Sequence, residues 1–237
     1  MCILFFSLTT WYLVLNYLYA EKFGVAGIDV VFWCMVYNVY LFHQWEFMGV
    51  VALSGSEAEI SFLIRACRLL YKNKFVHGSQ GNASMHLGHD RILIKPSGKS
   101  FRYLNSSELV SVDMPGKVVK GFGEPSIETP VHLAVYETRR DVNVVLHTHP
   151  LNVITFSLLK SPLELLEVER NAGVVPFVKY MKPGSKELAS TVSKEIRHHD
   201  AVILGKHGLI TVGKNAADAY DLIEVIDMNA EIHNRAR

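Results

Sequence analysis

Residues 142–150 run Val142-Asn143-Val144-Val145-Leu146-His147-Thr148-His149-Pro150, an apolar, β-branched stretch closed by two histidines one residue apart. Such a run predicts a buried strand over residues 142–147. On a strand, residues i and i+2 face the same way, so both imidazoles can reach one point in space. Pro150 suits the first turn of a following helix. A lone His-x-His is more often a surface or hydrogen-bonded pair, and His198-His199, placed between an amphipathic helix and Asp200, is read that way. His147 and His149 have company. His207 lies in the turn Gly205-Lys206-His207-Gly208 between two apolar strand candidates, 201–204 and 209–212. Glycine on both sides lets that backbone approach a site closely. Three histidines with an open fourth position make Zn²⁺ a Lewis acid rather than a structural staple. Glu128 opens a helix candidate, 128–139, directly before the strand, and a helix–strand return brings its carboxylate towards the same point.

Outward from this centre the pattern is that of an α/β domain. Ser56-Glu57-Ala58-Glu59 offers a capping box, followed by Ile60, Leu63, Ile64, Cys67, Leu70 and Tyr71 at helical spacing. The turn Gly78-Ser79-Gln80-Gly81-Asn82 leads into strand candidates 83–87 and 91–94, and Pro96-Ser97-Gly98 is a second turn. A hairpin is expected over 110–120 around Met114-Pro115-Gly116, with Ser126 as a cap for the helix that follows. Strand 174–178, helix 184–197 and a last helix capped by Asn215 complete the chain, the last burying Ala219, Leu222, Ile223, Ile226 and Ala230. Strands outnumber simple βαβ units. The expected fold is α/β, three layers α/β/α, with a mainly antiparallel central sheet flanked by helices.

The 237 residues are 49% hydrophobic and 20% charged, with a net charge of +1. That size holds one domain, or one with an appendage. The balance gives no field to attract nucleic acid, and three cysteines make no disulfide framework. The averages hide a break near residue 48. Residues 1–47 carry 14 of the 25 aromatics and a single basic residue, Lys22. The remainder holds 23 basic and 20 acidic residues. Residues 1–20 are uncharged and 23–43 are interrupted only by Asp29, so either run has the length to cross a bilayer. However, no Lys or Arg precedes the first run, and only Lys22 is available to set an orientation. The expected division is an atypical apolar extension, 1–47, and a catalytic domain, 48–237. Three readings of the extension stand: upstream translation with Met48 as the true start, a membrane-associated appendage, or a packed soluble extension. The first is preferred, and the expected location is the cytoplasm.

The turns at 78–82 and 95–98 are rich in small donors and exposed backbone N–H groups, as phosphate-holding nests are, and Ser126 adds a hydroxyl near a helix N-terminus. Neither turn has the glycine spacing of a P-loop or a dinucleotide fingerprint. Five ordered blocks now stand on the chain: residues 78–84, Gly-Ser-Gln-Gly-Asn-Ala-Ser; 94–98, Ile-Lys-Pro-Ser-Gly; 124–132, Glu-Pro-Ser-Ile-Glu-Thr-Pro-Val-His; 144–150; and 204–213, Leu-Gly-Lys-His-Gly-Leu-Ile-Thr-Val-Gly. Together they resemble the class II aldolase/adducin family, the group that includes L-fuculose-phosphate aldolase and L-ribulose-5-phosphate 4-epimerase. The resemblance runs from about Ser56 to Arg237 and has no counterpart for 1–47.

What the resemblance implies is a homotetramer with one Zn²⁺ per subunit, held by His147, His149 and His207. Glu128 matches the family's acid/base carboxylate, which also ligates zinc in the absence of substrate. Ser79, Asn82, Ser97, Gly98 and Ser126 match positions that hold a substrate phosphate. The implied reaction is retro-aldol cleavage of a ketose 1-phosphate of the L-fuculose 1-phosphate type, through a metal-stabilised enediolate, to dihydroxyacetone phosphate and an aldehyde. The chain also departs from that pattern. Ile127 stands where a second phosphate-binding serine is expected, and the region 163–176 lacks the fuculose enzyme's catalytic tyrosine, leaving Tyr180 as the nearby phenol. A pentulose-phosphate 4-epimerase and a methylthioribulose-phosphate dehydratase share the zinc chemistry. A non-catalytic adducin-like module would be expected to lose the ligands that this chain keeps.

Overall fold

The computed structural model describes residues 55–88, 90–166 and 173–236. The expectations for residues 1–47 lie outside them. In chain order the elements are α1 (Gly55–Lys72), β1 (Asn82–His86), β2 (Arg91–Ile94), a 3₁₀ turn (Ser106–Glu108), β3 (Val110–Asp113), β4 (Val118–Lys120), α2 (Thr129–Thr138), β5 (Val144–Thr148) and α3 (Leu151–Ser157). They continue with β6 (Leu163–Glu164), β7 (Val174–Val175), β8 (Phe177–Val178), α4 (Lys186–Ile196), β9 (Ala201–Leu204), β10 (Gly208–Gly213) and α5 (Ala216–Arg235).

Eight strands form one sheet in the order β4-β3-β2-β1-β5-β10-β9-β8. Every pair is antiparallel except β8 with β9. The histidine strand β5 is therefore central, with Asn82 of β1 opposite His147 on one side and Ile210 of β10 opposite it on the other. It is buried throughout, and its side chains alternate between two core layers. Val144 and Leu146 face a core layer built with α1, α3 and α5, whereas Val145 faces the layer of α2 and α4. By the same two-residue period His147 faces the α2 side. Ala83 and Met85 of β1 pack with the first layer, so Asn82, Ser84 and His86 face α2 as well. Two helical layers on a mainly antiparallel sheet are the expected architecture, and among the described residues no helix is long and apolar enough to cross a membrane.

Local differences have local causes. Helix α1 begins at Gly55, so Ser56 lies inside it rather than at its cap. The N-cap of α2 is Glu128, not Ser126, whose carbonyl instead accepts from Thr129 N and Thr129 Oγ1. Pro150 is the N-cap of α3, its ψ of 132° keeping it out of the first turn. The single strand expected over 174–178 is split at Pro176, which has no N–H to give a ladder. As a result β7 pairs with β6, and β8 crosses to the edge of the main sheet. The caps on α4 and α5 are made by Ser185, which accepts from Leu188 N, and by Asn215, which accepts from Ala217 N and Asp218 N.

Candidate active site

His147 is the last inward residue of β5 before the chain turns, and it is 1% exposed. Its Nδ1–H donates to the Leu209 carbonyl at 3.1 Å across the β5–β10 pair. That bond fixes the tautomer and leaves Nε2 as a bare lone pair. His149 Nε2 lies 2.9 Å and His207 Nε2 3.3 Å from it, and the three histidines offer ligand atoms all within 4.8 Å of one another. Nitrogens on a tetrahedral zinc, each about 2.0–2.1 Å from the ion, stand roughly 3.4 Å apart. The cluster therefore has the dimensions of a divalent-cation site.

Backbone geometry makes the approach possible. A β-carbon on Gly208 would run into the Thr148 carbonyl and the His149 ring, so only glycine lets the His207 turn close on β5. Gly81, at φ +72°, is constrained from the other side: a β-carbon there would meet Val76 and the His147 carbonyl at 2.7 and 2.8 Å. Lys206 takes the left-handed conformation at the turn, φ 58°, and its N–H is held by Ser157 Oγ.

Glu128 stands at the N-terminus of α2 with its carboxylate buried. Oε2 is 3.1 Å from His147 Nε2, and Oε1 is 3.9 Å from His207 Nε2. This is not an ion pair, because burial pushes His147 down from the ordinary 6.5 to about 3, with neighbouring His207 adding to the effect. A lone pair and a carboxylate oxygen at that separation repel unless a cation or proton lies between them. The donor set of three imidazoles and a carboxylate fits a zinc-like ion on these grounds. His207 Nδ1 is buried without a hydrogen-bond partner. The other histidine pair behaves as expected: His198 is exposed, and His199 Nδ1 bonds the Glu195 carbonyl one turn back.

One small-residue turn reaches this carboxylate, and the other is tied to the segment that leads into it. Asn82 Nδ2 donates to Glu128 Oε2 at 2.7 Å. Ser97 N–H donates to the Glu124 carbonyl at 2.9 Å, which ties the 95–98 turn to the segment leading into Glu128. Ser79, Ser97 and Gly98 are exposed at the turns, while Ser126 is buried and its Oγ accepts from Glu128 N–H. Ile127 is exposed, as is Tyr180. Residues 167–172 of the stretch lacking a tyrosine lie outside the described residues.

Two participants were missed from the sequence. Lys95 is 2% exposed and its Nζ donates to the carbonyls of Ser79, Pro96 and Lys99, locking one turn to the other. Burial pushes its ammonium down to about 8, opposed by the Cys67 side chain beneath it. The available signal was a lysine directly after an apolar strand, at an inward-facing position. His132 is the other. It is fully buried between Asn82 and Ser84, and burial takes it down to about 3.

These histidines make the metal-free protein acid-labile. His132, His147 and His149 are all held near 3 by burial, and His207 is lowered for the same reason. Below pH 6.5 the unfolded chain takes up protons that the folded chain refuses until about pH 3. Stability is therefore complete above 6.5 and is lost as pH falls towards 3. For the two fully buried rings, His132 and His147, the loss is already under way at pH 5. The urea midpoint of metal-stripped protein should fall steeply between pH 7.5 and pH 5, and equal midpoints would contradict the buried neutral state.

The sequence profile of the class II aldolase and adducin N-terminal domain matches residues 62–234. An L-fuculose phosphate aldolase of Methanococcus maripaludis is 36% identical over 177 residues, covering 74% of this chain and 96% of the relative. The enzyme of that name from Methanocaldococcus jannaschii is 36% identical over 171 residues, covering 71% and 92%. Among solved structures, L-fuculose-1-phosphate aldolase from Thermus thermophilus superposes with a TM-score of 0.69 at 25% identity, covering 76% of this chain and 95% of that one. The match runs through both turns, the carboxylate and all three histidines, and by it the chain belongs to the class II aldolase and adducin family, as one of its lyases.

Proposed function

We propose that the protein is a zinc-dependent aldolase that cleaves a ketose 1-phosphate of the L-fuculose 1-phosphate type to dihydroxyacetone phosphate and an aldehyde. The observation that carries this reading is the Glu128 carboxylate set 3.1 Å from His147 Nε2, beside three converging imidazoles. His147, His149 and His207 would hold the zinc, with Glu128 completing the set when substrate is absent. When bound, the ion supplies a Lewis acid for the negative charge that develops on the substrate oxygens.

The chain's own groups do the rest. In cleavage the carbon–carbon bond breaks, its electron pair stays on the dihydroxyacetone phosphate fragment, and the hydroxyl that becomes the aldehyde carbonyl gives its proton to water. Glu128 delivers a proton to the electron-rich carbon, and in the reverse direction removes it. Ser79, Ser97 and Gly98, at the two turns, and Ser126, just before Glu128, are the residues proposed to take the phosphate. Asn82 gives one amide N–H to Glu128 and keeps its second for that phosphate. The reading extends to a homotetramer working in the cytoplasm, as the resemblance to the family implies.

Product analysis of metal-loaded protein with L-fuculose 1-phosphate, ribulose 5-phosphate and methylthioribulose 1-phosphate tests it. Dihydroxyacetone phosphate from the first substrate is expected. Epimerisation or dehydration of the others without carbon–carbon cleavage would overturn the aldolase assignment. Far less than one zinc per chain, with no activity, would favour an adducin-like module.

A further inference from the structure

A polar stripe runs through an otherwise apolar layer between β1 and α2. On the helix side it consists of Glu128, His132 and Tyr136, spaced by four. On the strand side it consists of Asn82 and Ser84, spaced by two. The two periods bring the side chains together, since i, i+4 shares a helix face and i, i+2 a strand face. Asn82, Ser84, His132 and Tyr136 are each at most 4% exposed.

The hydrogen bonds between them have one direction. A carboxylate only accepts, so the bond of 2.7 Å to Glu128 Oε2 identifies the Asn82 atom there as Nδ2. Asn82 Oδ1 then faces His132 Nε2, which must donate. With that proton on Nε2 and a neutral ring, His132 Nδ1 accepts from Ser84 Oγ–H at 2.6 Å. Ser84 Oγ, its own proton spent on His132, accepts from the Tyr136 hydroxyl at 2.9 Å, closer than that hydroxyl's other acceptor, the Asn143 carbonyl at 3.4 Å. Four donors in series point at one oxygen of one carboxylate.

We propose that His132 is a positioning residue: with Asn82, Ser84 and Tyr136 it holds Glu128 so that Oε2 is always an acceptor and Oε1 is the oxygen that carries the proton to and from substrate. The proposal deepens the functional reading above and rests on it for the identity of the reaction. Freed from His132, the Asn82 amide can turn over, present its oxygen to the carboxylate and push it from its place. A displacement of about 1 Å at a reacting group is enough to lower a rate roughly a hundredfold. The three metal-binding imidazoles have no part in the chain, so metal content should not follow.

The test begins with a readout that needs neither metal nor substrate. In metal-free wild-type protein labelled with ¹⁵N-histidine, His132 should appear as the neutral Nε2–H tautomer with a proton protected from solvent exchange. An Nδ1–H tautomer would overturn the proposal. The second readout is deuterium wash-in to dihydroxyacetone phosphate by zinc-loaded protein in D₂O, which reports proton transfer at carbon alone. His132→Phe should lose about tenfold to a hundredfold in kcat for exchange, with KM and zinc content unchanged. His132→Gln, whose amide can donate to Asn82 and accept from Ser84, should recover most of that loss. A folded His132→Phe that exchanges at the wild-type rate, or a His132→Gln no better than it, would also overturn the proposal. If wild-type protein shows no exchange, the aldolase reading fails, and the tautomer still decides whether the donor chain exists.

Discussion

Replacing His147 with alanine is expected to empty the metal site and lower activity by at least about a thousandfold. His147 is the central member of the cluster, within 3.3 Å of the other two ring nitrogens and 3.1 Å of Glu128. Without it no three-point nitrogen set remains. The charge stabilisation that a bound ion supplies amounts to several kcal/mol, and each 1.36 kcal/mol is a factor of ten in rate. The fold should survive with a modest penalty. The Leu209 carbonyl loses its Nδ1–H donor, about 1–3 kcal/mol for a buried group left unpaired, while the β5–β10 ladder on both sides of it is intact. Metal analysis after gel filtration, paired with circular dichroism, separates the two effects. Wild-type zinc content in the folded variant would remove His147 from the site.

Glu128→Gln should separate proton transfer from metal binding. Glutamine has nearly the shape of glutamate and can turn its carbonyl oxygen towards Asn82 Nδ2, so the buried amide keeps an acceptor. What it cannot do is carry a proton to carbon. General acid–base groups contribute about 10²–10⁴ in rate, and a kcat loss in that range is expected. Zinc content should change little, because three histidines remain. Glu128→Ala adds a second penalty, leaving Asn82 with a buried unpaired N–H, and should be less stable to urea than Glu128→Gln. An active Glu128→Gln would show that another group moves the proton.

The two-residue period of the sheet made much of this site legible. Val144, Val145 and Leu146 predict a buried strand, and the same period aims His147 and His149 together. Glycine-flanked His207 signalled close approach, and the Thr148 carbonyl beside Gly208 explains why. A helix–strand return carries Glu128 back towards the histidines, a consequence of topology that needs no side-chain detail. Element ends were less legible. Ser56 and Ser126 are good cap residues, yet Ser56 lies inside α1 and Glu128 caps α2, because a helix end is decided by where the helix can pack and not by one side chain. Pro176, with no N–H to give a ladder, divides the strand expected over 174–178. His132 and Lys95 were missed for another reason. Each is a polar residue at an inward position, and its partners, carbonyls or amides on another element, become visible only once strand and helix are docked.

The register of β5 with β10 carries one more consequence. His147 stands opposite Ile210, and a slip of a single residue would turn His147 towards the α1 side and point Leu146 or Thr148 at Glu128. Apolar burial alone discriminates weakly against such an error, since β5 is buried on both faces. A cation that needs all three imidazoles binds only the native pairing, so its binding free energy is added to that pairing and to no misaligned competitor. In this protein the metal would act as a proofreader of strand alignment before it acts on any sugar.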